Sequence, residues 1–202
     1  MDINEIRIKN EGYIDCKSNF YSVCDILNGR EFKFVRGTNI LNGDIDSGVF
    51  AISYFVSMYP KINRKTLFMP HEAFVNEKLM QVSELSKQAC YLDQSYHLFA
   101  SRKPVSGLIA RGLKRSGIAY SVDEIRDMFE IEKNRFDLPI NATGNERFKV
   151  MAAVGFCYEK HIFCFPWMSR MRYECFEGHT EKGLDVLESM GKIAILPIGN
   201  AQ

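Results

Sequence analysis

Nowhere does the sequence hold an apolar run near the ~20 residues that a membrane-spanning helix needs. Residues 1–9 lack a basic start followed by an apolar stretch, so they do not read as a signal peptide. The expectation is a cytoplasmic protein that meets a membrane only through a partner. Charge of one sign is missing too. Lys plus Arg is 26, Asp plus Glu is 25 and the net charge is +1, so no global field draws the chain to nucleic acid. The mild basic clusters, Arg111 with Lys114 and Arg115, and Arg147 with Lys149, read as solvated helix faces, and no nucleic-acid partner is expected. None of the six cysteines, Cys16, Cys24, Cys90, Cys157, Cys164 and Cys175, sits in a Cys-x-x-Cys pair. That removes zinc-ribbon and thioredoxin-like chemistry. His161 and Cys164 are three apart, but they border the apolar run 162–165, where strand alternation puts them on opposite faces. The four histidines show no metal spacing, so no metal site is expected. Gly-x-Ser-x-Gly is absent, since Ile45 precedes Asp46-Ser47-Gly48, which leaves no nucleophile elbow.

What is present is core material. The 202 residues are 46% hydrophobic and include 15 Phe and 9 Tyr, enough for one full-sized domain over 1–202. Alternation predicts strands over 3–8 and 31–35. A further strand over 21–26 is expected to turn at Asn28-Gly29 into the one over 31–35. A turn-rich stretch then precedes a helix marked by Val49, Phe50, Ile52, Phe55, Val56 and Tyr59 and ended by Pro60. A short strand over 66–69, a helix over 72–87 and a strand over 89–92 follow. Helices are expected over 104–113 and 121–129, the second opened by a Ser121/Glu124 capping box. The charged, strand-free stretch 101–141 reads as a helical subdomain inserted in an α/β core. Thr143-Gly144-Asn145-Glu146 reads as a second capping box, ahead of a helix through Val150, Ala153, Val154 and Cys157. The run 162–165 is a strand covered on both faces. A helix over 180–190 contains Gly183 and stops at Gly191, and 193–196 is a last buried strand.

Several short segments stand in a recognisable order. Gly43-Asp44-Ile45-Asp46-Ser47-Gly48 has the Gly-x4-Gly spacing of a loop that turns backbone N–H groups toward phosphate at a helix N-terminus. Gln94 follows a strand, Thr143 to Glu146 opens a helix, residues 161–169 follow that helix, and the last strand ends at Pro197 and Ile198. In this order and spacing the chain resembles the ATP-binding cassette (ABC) ATPase domain, with the segments standing for Walker A, the Q-loop, the signature, Walker B and the strand before the switch histidine.

The resemblance implies a P-loop NTPase-like α/β fold. It has a mostly parallel sheet, an antiparallel β subdomain and an inserted helical subdomain. It also implies that Gln94 serves the metal and the attacking water. Thr143 and Gly144 would face the gamma phosphate held by an opposite subunit. Tyr13, Phe20 and Tyr21 are candidates to stack on adenine. The departures are consistent in direction. Val49 and Phe50 stand where the family has Lys and Ser or Thr, and Asn145 replaces the second signature glycine. Pro166 stands for the magnesium-side Asp, Trp167 for the catalytic Glu, and Pro197 or Ile198 for the histidine. Asp44 and Asp46 add carboxylates beside the triphosphate position. Two like unit charges ~4–5 Å apart repel by roughly 3–4 kcal/mol at an effective dielectric of ~20. The expectation is a catalytically degenerate protein without a cofactor, a non-hydrolysing partner in a homodimer or of an intact ABC ATPase or permease subunit. The alternative is an ATP- and magnesium-using hydrolase with an atypical site.

Overall fold

The computed structural model describes residues 2–10, 13–17, 22–26, 30–44, 47–58, 72–94, 96–99 and 102–200. Of residues 10–29, only the backbone of the strands is described. The chain begins with β1 (Glu5–Asn10), β2 (Tyr13–Lys17), β3 (Ser22–Ile26) and β4 (Arg30–Val35). Alternation is what fixes β1: Ile6 and Ile8 are fully buried, opposite Phe34 and Phe32 of antiparallel β4. β3 pairs with β2 instead of turning into β4, which corrects the expected hairpin. Asn28-Gly29 and the predicted strand over 66–69 lie outside the described residues.

After β4 comes a strand that the sequence pattern does not show, β5 (Gly37–Asn42), and then α1 (Val49–Met58), in which all ten residues are buried. A helix apolar all round belongs in the middle of a core. The expected helix over 72–87 is instead a hairpin and a short helix, β6 (Glu72–Val75), β7 (Lys78–Met80) and α2 (Val82–Gln88). Ala73 and Val75 bury on the same face as Ile8 and Ile6 of β1, and the tertiary pairing overrides the helical spacing. Asn76 and Glu77 turn the hairpin with φ of 48° and 65°. The Asn76 carboxamide oxygen accepts from the backbone N–H of Asn4 at 2.8 Å, which locks that turn to the chain start.

β8 (Ala89–Tyr91) leads into α3 (Val105–Ser116), α4 (Val122–Met128) and α5 (Lys133–Phe136). α3 buries Val105, Leu108, Ile109, Gly112 and Leu113, one stripe at helical spacing. The Ser121/Glu124 capping box forms as expected. Then come α6 (Arg147–Cys157), β9 (Ile162–Cys164), α7 (Arg170–Ser189) and β10 (Ile193–Ile198). The helix expected over 180–190 starts ten residues earlier. Gly183 suits it because a Cβ there would lie 3.3 Å from the Lys149 Cα of α6.

Strands β5, β10, β9 and β8 form a parallel sheet in that order, and β4, β1, β6 and β7 an antiparallel one. All of β10 is buried, as a parallel strand covered by helices must be. The expected α/β fold with both kinds of sheet is observed. Among the described residues no helix is long and apolar enough to cross a membrane.

The core also sets thiol chemistry. Burial pushes Cys90 and Cys157 from 9.0 up to about 12, and Cys164 upward as well, whereas Cys175 is exposed. Thiolate is the reactive form. In the native protein at pH 8, iodoacetamide is expected to label Cys175 readily and Cys90, Cys157 and Cys164 only after unfolding, as read by peptide mass spectrometry. Because the folded pKa values are raised, the stability tied to these protonated thiols is full below about 9 and declines as pH climbs toward about 12.

Candidate functional site

Four parallel strands pointing the same way put their C-terminal ends on one edge of the sheet, the edge where open α/β sheets hold ligands. β5 ends into the loop of Gly43 and Asp44, β10 into Gly199 and Asn200, β9 into residues 165–169, and β8 into Asp93 and Gln94. The segment after β9 stays alongside β10: Phe165 N–H donates to Ile195 O at 2.9 Å, Met168 N–H to Pro197 O at 3.2 Å, and Gly199 N–H to Met168 O at 2.8 Å. This track delivers Trp167 to the loop. Its indole N–H donates to Gly43 O at 2.9 Å, and its ring lies 5.2 Å from that of Phe50, tilted by 38°. Gly199 leaves room for both partners, since a Cβ there would come within 2.9 Å of the indole and 3.1 Å of the Asp44 carboxylate.

The loop is bonded inward. Gly43 N–H donates to Ile198 O at 2.9 Å and Ser47 N–H to Asp44 O at 3.2 Å. The Ser47 hydroxyl also donates to Asp44 O, accepts from Val49 N–H at 3.2 Å, and the Arg30 guanidinium donates to Ser47 O. The Asp44 carboxylate accepts from Asn200 N–H at 3.2 Å and from its side-chain amide at 3.0 Å. Gly48 turns into α1 at a φ of 78°. Asp46 lies outside the described residues.

Beside the loop is a cleft of about 540 Å³, whose walls include Asp44, Trp167, Ser169, Arg170, Glu174 and Asn200. Ser169 caps α7, its hydroxyl accepting from Arg172 N–H at 3.4 Å. Arg170 donates from Nη2 to Asn42 Oδ1 at 2.7 Å. Sequence reasoning missed Ser169, Arg170, Glu174 and Asn200. Only Ser169 carried a signal, a cap residue just ahead of a helix.

The other predicted residues are spread along the edge. Val49 and Phe50 are buried, Pro166 is half-buried and Ile198 is fully buried. Gln94 is half-buried after β8, three strand spacings of ~4.8 Å, or about 14 Å, from the loop strand. Gly144 and Asn145 are exposed. The second capping box does not form. Thr143 is buried in helical backbone and its hydroxyl donates to Ile140 O at 2.8 Å, while the Glu146 carboxylate is paired with Lys149. Residues 144–146 make a 3-10 turn in place of a cap. The start of α6 does reach the Gln94 turn electrostatically. Arg147 lies over the Phe148 and Phe176 rings at 5.0 and 5.2 Å; burial first, then Arg172, pulls its pKa down, and Asp93 opposes them.

A magnesium triphosphate needs a cation and a hydroxyl or carboxylate metal ligand at the start of the helix. Among the described residues, the first two positions of α1 supply neither. α1 opens on two buried hydrocarbon side chains, the Gly43 carbonyl and amide are both bonded within the chain, and Asp44 presents an anion.

No family model and no curated protein matches the sequence. Solved structures do match. A putative ABC transporter ATP-binding protein from Pyrococcus furiosus shares 13% identity, with 98% of this chain and 92% of that one covered and a TM-score of 0.62. A dimeric ATP-binding cassette in a post-hydrolysis state with ADP and Pi shares 13%, covering 98% and 88% with a TM-score of 0.60. A bacterial Atm1-family ABC exporter with ATP bound shares 13%; all of this chain aligns with 35% of it at a TM-score of 0.55. These relatives overturn the expectation of no cofactor, because ATP is bound in one and ADP with Pi in another. At this identity the likeness is one of fold, and it spans almost the whole chain: the protein has the fold of ABC ATPase nucleotide-binding domains.

Proposed function

We propose that the chain is a non-hydrolysing subunit, a binding or regulatory partner of an ABC transporter or of an intact ATPase subunit. The end of β9 carries this reading. Pro166 and Trp167 occupy the two positions at which the resemblance places acids, and the Trp167 N–H closes onto Gly43. Hydrolysis needs a base for the attacking water and a ligand for the metal. Neither residue supplies one, and Ile198, at the switch-histidine position, is buried hydrocarbon. Adenine nucleotide belongs to this reading as the ligand of the assembly, consistent with the ATP and ADP of the fold relatives. An intact partner's phosphate loop would hold it, and the exposed Gly144 and Asn145 would meet it, as signature residues do in the domain this chain resembles. Thr143 adds no hydroxyl there, since its own is bonded to Ile140.

Phosphate release from Mg-ATP, measured on the isolated chain at high protein concentration, is expected to stay at the buffer rate and to be unchanged by Gln94→Ala. A rate well above buffer that Gln94→Ala abolishes would replace this reading with an ATP-hydrolysing subunit that uses an atypical site.

A further inference from the structure

The cleft beside the loop carries charges that a polyanion does not explain. Asp44 and Glu174 bring carboxylates to its wall and Arg170 brings a guanidinium; Ser169 and Asn200 are neutral hydrogen-bonding groups, and Trp167 is the large apolar surface. Among the described residues none of the three charges has an ion-pair partner within the chain. Among the described residues the Asp44 carboxylate accepts from the neutral groups of Asn200. Among the described residues the Arg170 guanidinium donates to the neutral Asn42, and its buried Nε meets no acceptor. Ion pairs do form at other places on the surface, as in Arg126 with Asp123 and Asp127 or Lys33 with Glu5. Charges of both signs gathered around one cavity suit a ligand that itself carries both. The volume of about 540 Å³ falls within the roughly 300–1,000 Å³ of small-molecule sites.

We propose that this cleft binds a zwitterion, an α-amino acid with an apolar side chain. The ammonium sits between Asp44 and Glu174, the carboxylate faces Arg170 and the Ser169 hydroxyl, and the side chain lies on the Trp167 indole. Arginine is suited to a carboxylate because its planar fork gives two parallel donors. An aromatic face beside an ammonium adds attraction through the ring quadrupole. Binding is non-covalent and independent of what the chain does with nucleotide.

Trp167 is the only tryptophan, so tryptophan emission reports on this cleft. Titrating the full chain with L-leucine is expected to give a saturable change in emission. The amine 3-methylbutylamine lacks the carboxylate and N-acetyl-L-leucine lacks the ammonium. Each is expected to bind at least about tenfold more weakly, the factor carried by ~1.4 kcal/mol. Glu174→Gln and Arg170→Gln should each weaken leucine by about tenfold or more, with far-UV circular dichroism unchanged and calorimetry as the second binding readout. Three ligands of equal affinity, or no saturable heat or emission change with leucine, would overturn the proposal. A Trp167 response to Mg-ATP with none to leucine would overturn it in favour of nucleotide in this cleft. The phosphate-release assay bears on hydrolysis alone, so the two readings fail separately.

Discussion

Replacing Glu146 by alanine is expected to cost about 3–5 kcal/mol of folding stability, the penalty for stranding a buried charge. Glu146 and Lys149 have side chains only 6% and 5% exposed and meet at 2.7 Å. Both partners are bonded further. Lys149 Nζ also donates to Glu130 O at 2.7 Å, and the second Glu146 oxygen accepts from Glu132 N–H at 3.3 Å. One ion pair therefore holds the chain between α4 and α5 against the start of α6, beside the turn of Thr143 to Glu146. Removing the carboxylate leaves an ammonium with a single carbonyl in a site closed to water. Glu146→Gln keeps an acceptor and should cost less. The double change Glu146→Leu with Lys149→Met removes both charges and should recover most of the loss, since apolar replacements of buried pairs are often neutral or better. Urea unfolding followed by circular dichroism, at constant m-value, measures each step. A Glu146→Ala loss below about 1 kcal/mol, the range of exposed pairs, would mean that water reaches this pair in solution.

How much of this architecture can be seen in the residues depends on where each element gets its stability. β1, α1 and β10 bury their own hydrocarbon, so alternation or continuous apolarity marks them directly. β5 is hidden because Gly-Thr-Asn-Ile-Leu-Asn buries only Gly37 and holds its place by pairing with β10 at a sheet edge. The β6–β7 hairpin is misleading because Phe74, Val75, Leu79, Val82 and Leu85 also fit a helical stripe. What decides is β1, some 65 residues away in sequence, together with left-handed Asn76 and Glu77. The first half of α7 is concealed by polarity: Met171, Glu174, Cys175 and Glu177 are exposed there, while Tyr173 is buried.

The site divides along the same line. The glycine spacing at Gly43 and Gly48 is local and legible. The contacts that define the cleft are not, because Trp167 reaches Gly43 across 124 residues and Asn200 reaches Asp44 across 156. The Asp44 carboxylate has a structural task that its local sequence does not show, since it holds the end of β10 through Asn200. The second capping box failed for a similar reason. The Glu146 carboxylate is taken up by Lys149 and the Glu132 N–H, and the Thr143 hydroxyl by Ile140 O, so neither is left to close a cap.

Phe163→Ala is the other change expected to cost about 3–5 kcal/mol, as for large aromatic truncations in packed cores. Phe163 is the middle residue of β9, fully buried between β8 and β10. Its ring edge meets α6 at Gly155, where a Cβ would stand 3.0 Å from Phe163 Cε1 and 2.8 Å from Cys90 Sγ. The helix can approach the sheet this closely only because position 155 has no side chain. Gly155→Ala alone is therefore expected to cost about 1–3 kcal/mol by overpacking. In the Phe163→Ala background the added methyl meets empty space on the ring side and only the Cys90 sulfur on the other. The two losses should fall short of additivity, with a coupling of about 0.5–3 kcal/mol. Unfolding monitored in parallel by circular dichroism and by Trp167 emission tests the packing and its reach, because β9 leads directly into the segment that sets Trp167 on Gly43. Strict additivity, within about 0.3–0.5 kcal/mol, would show that ring and helix do not share this contact in solution.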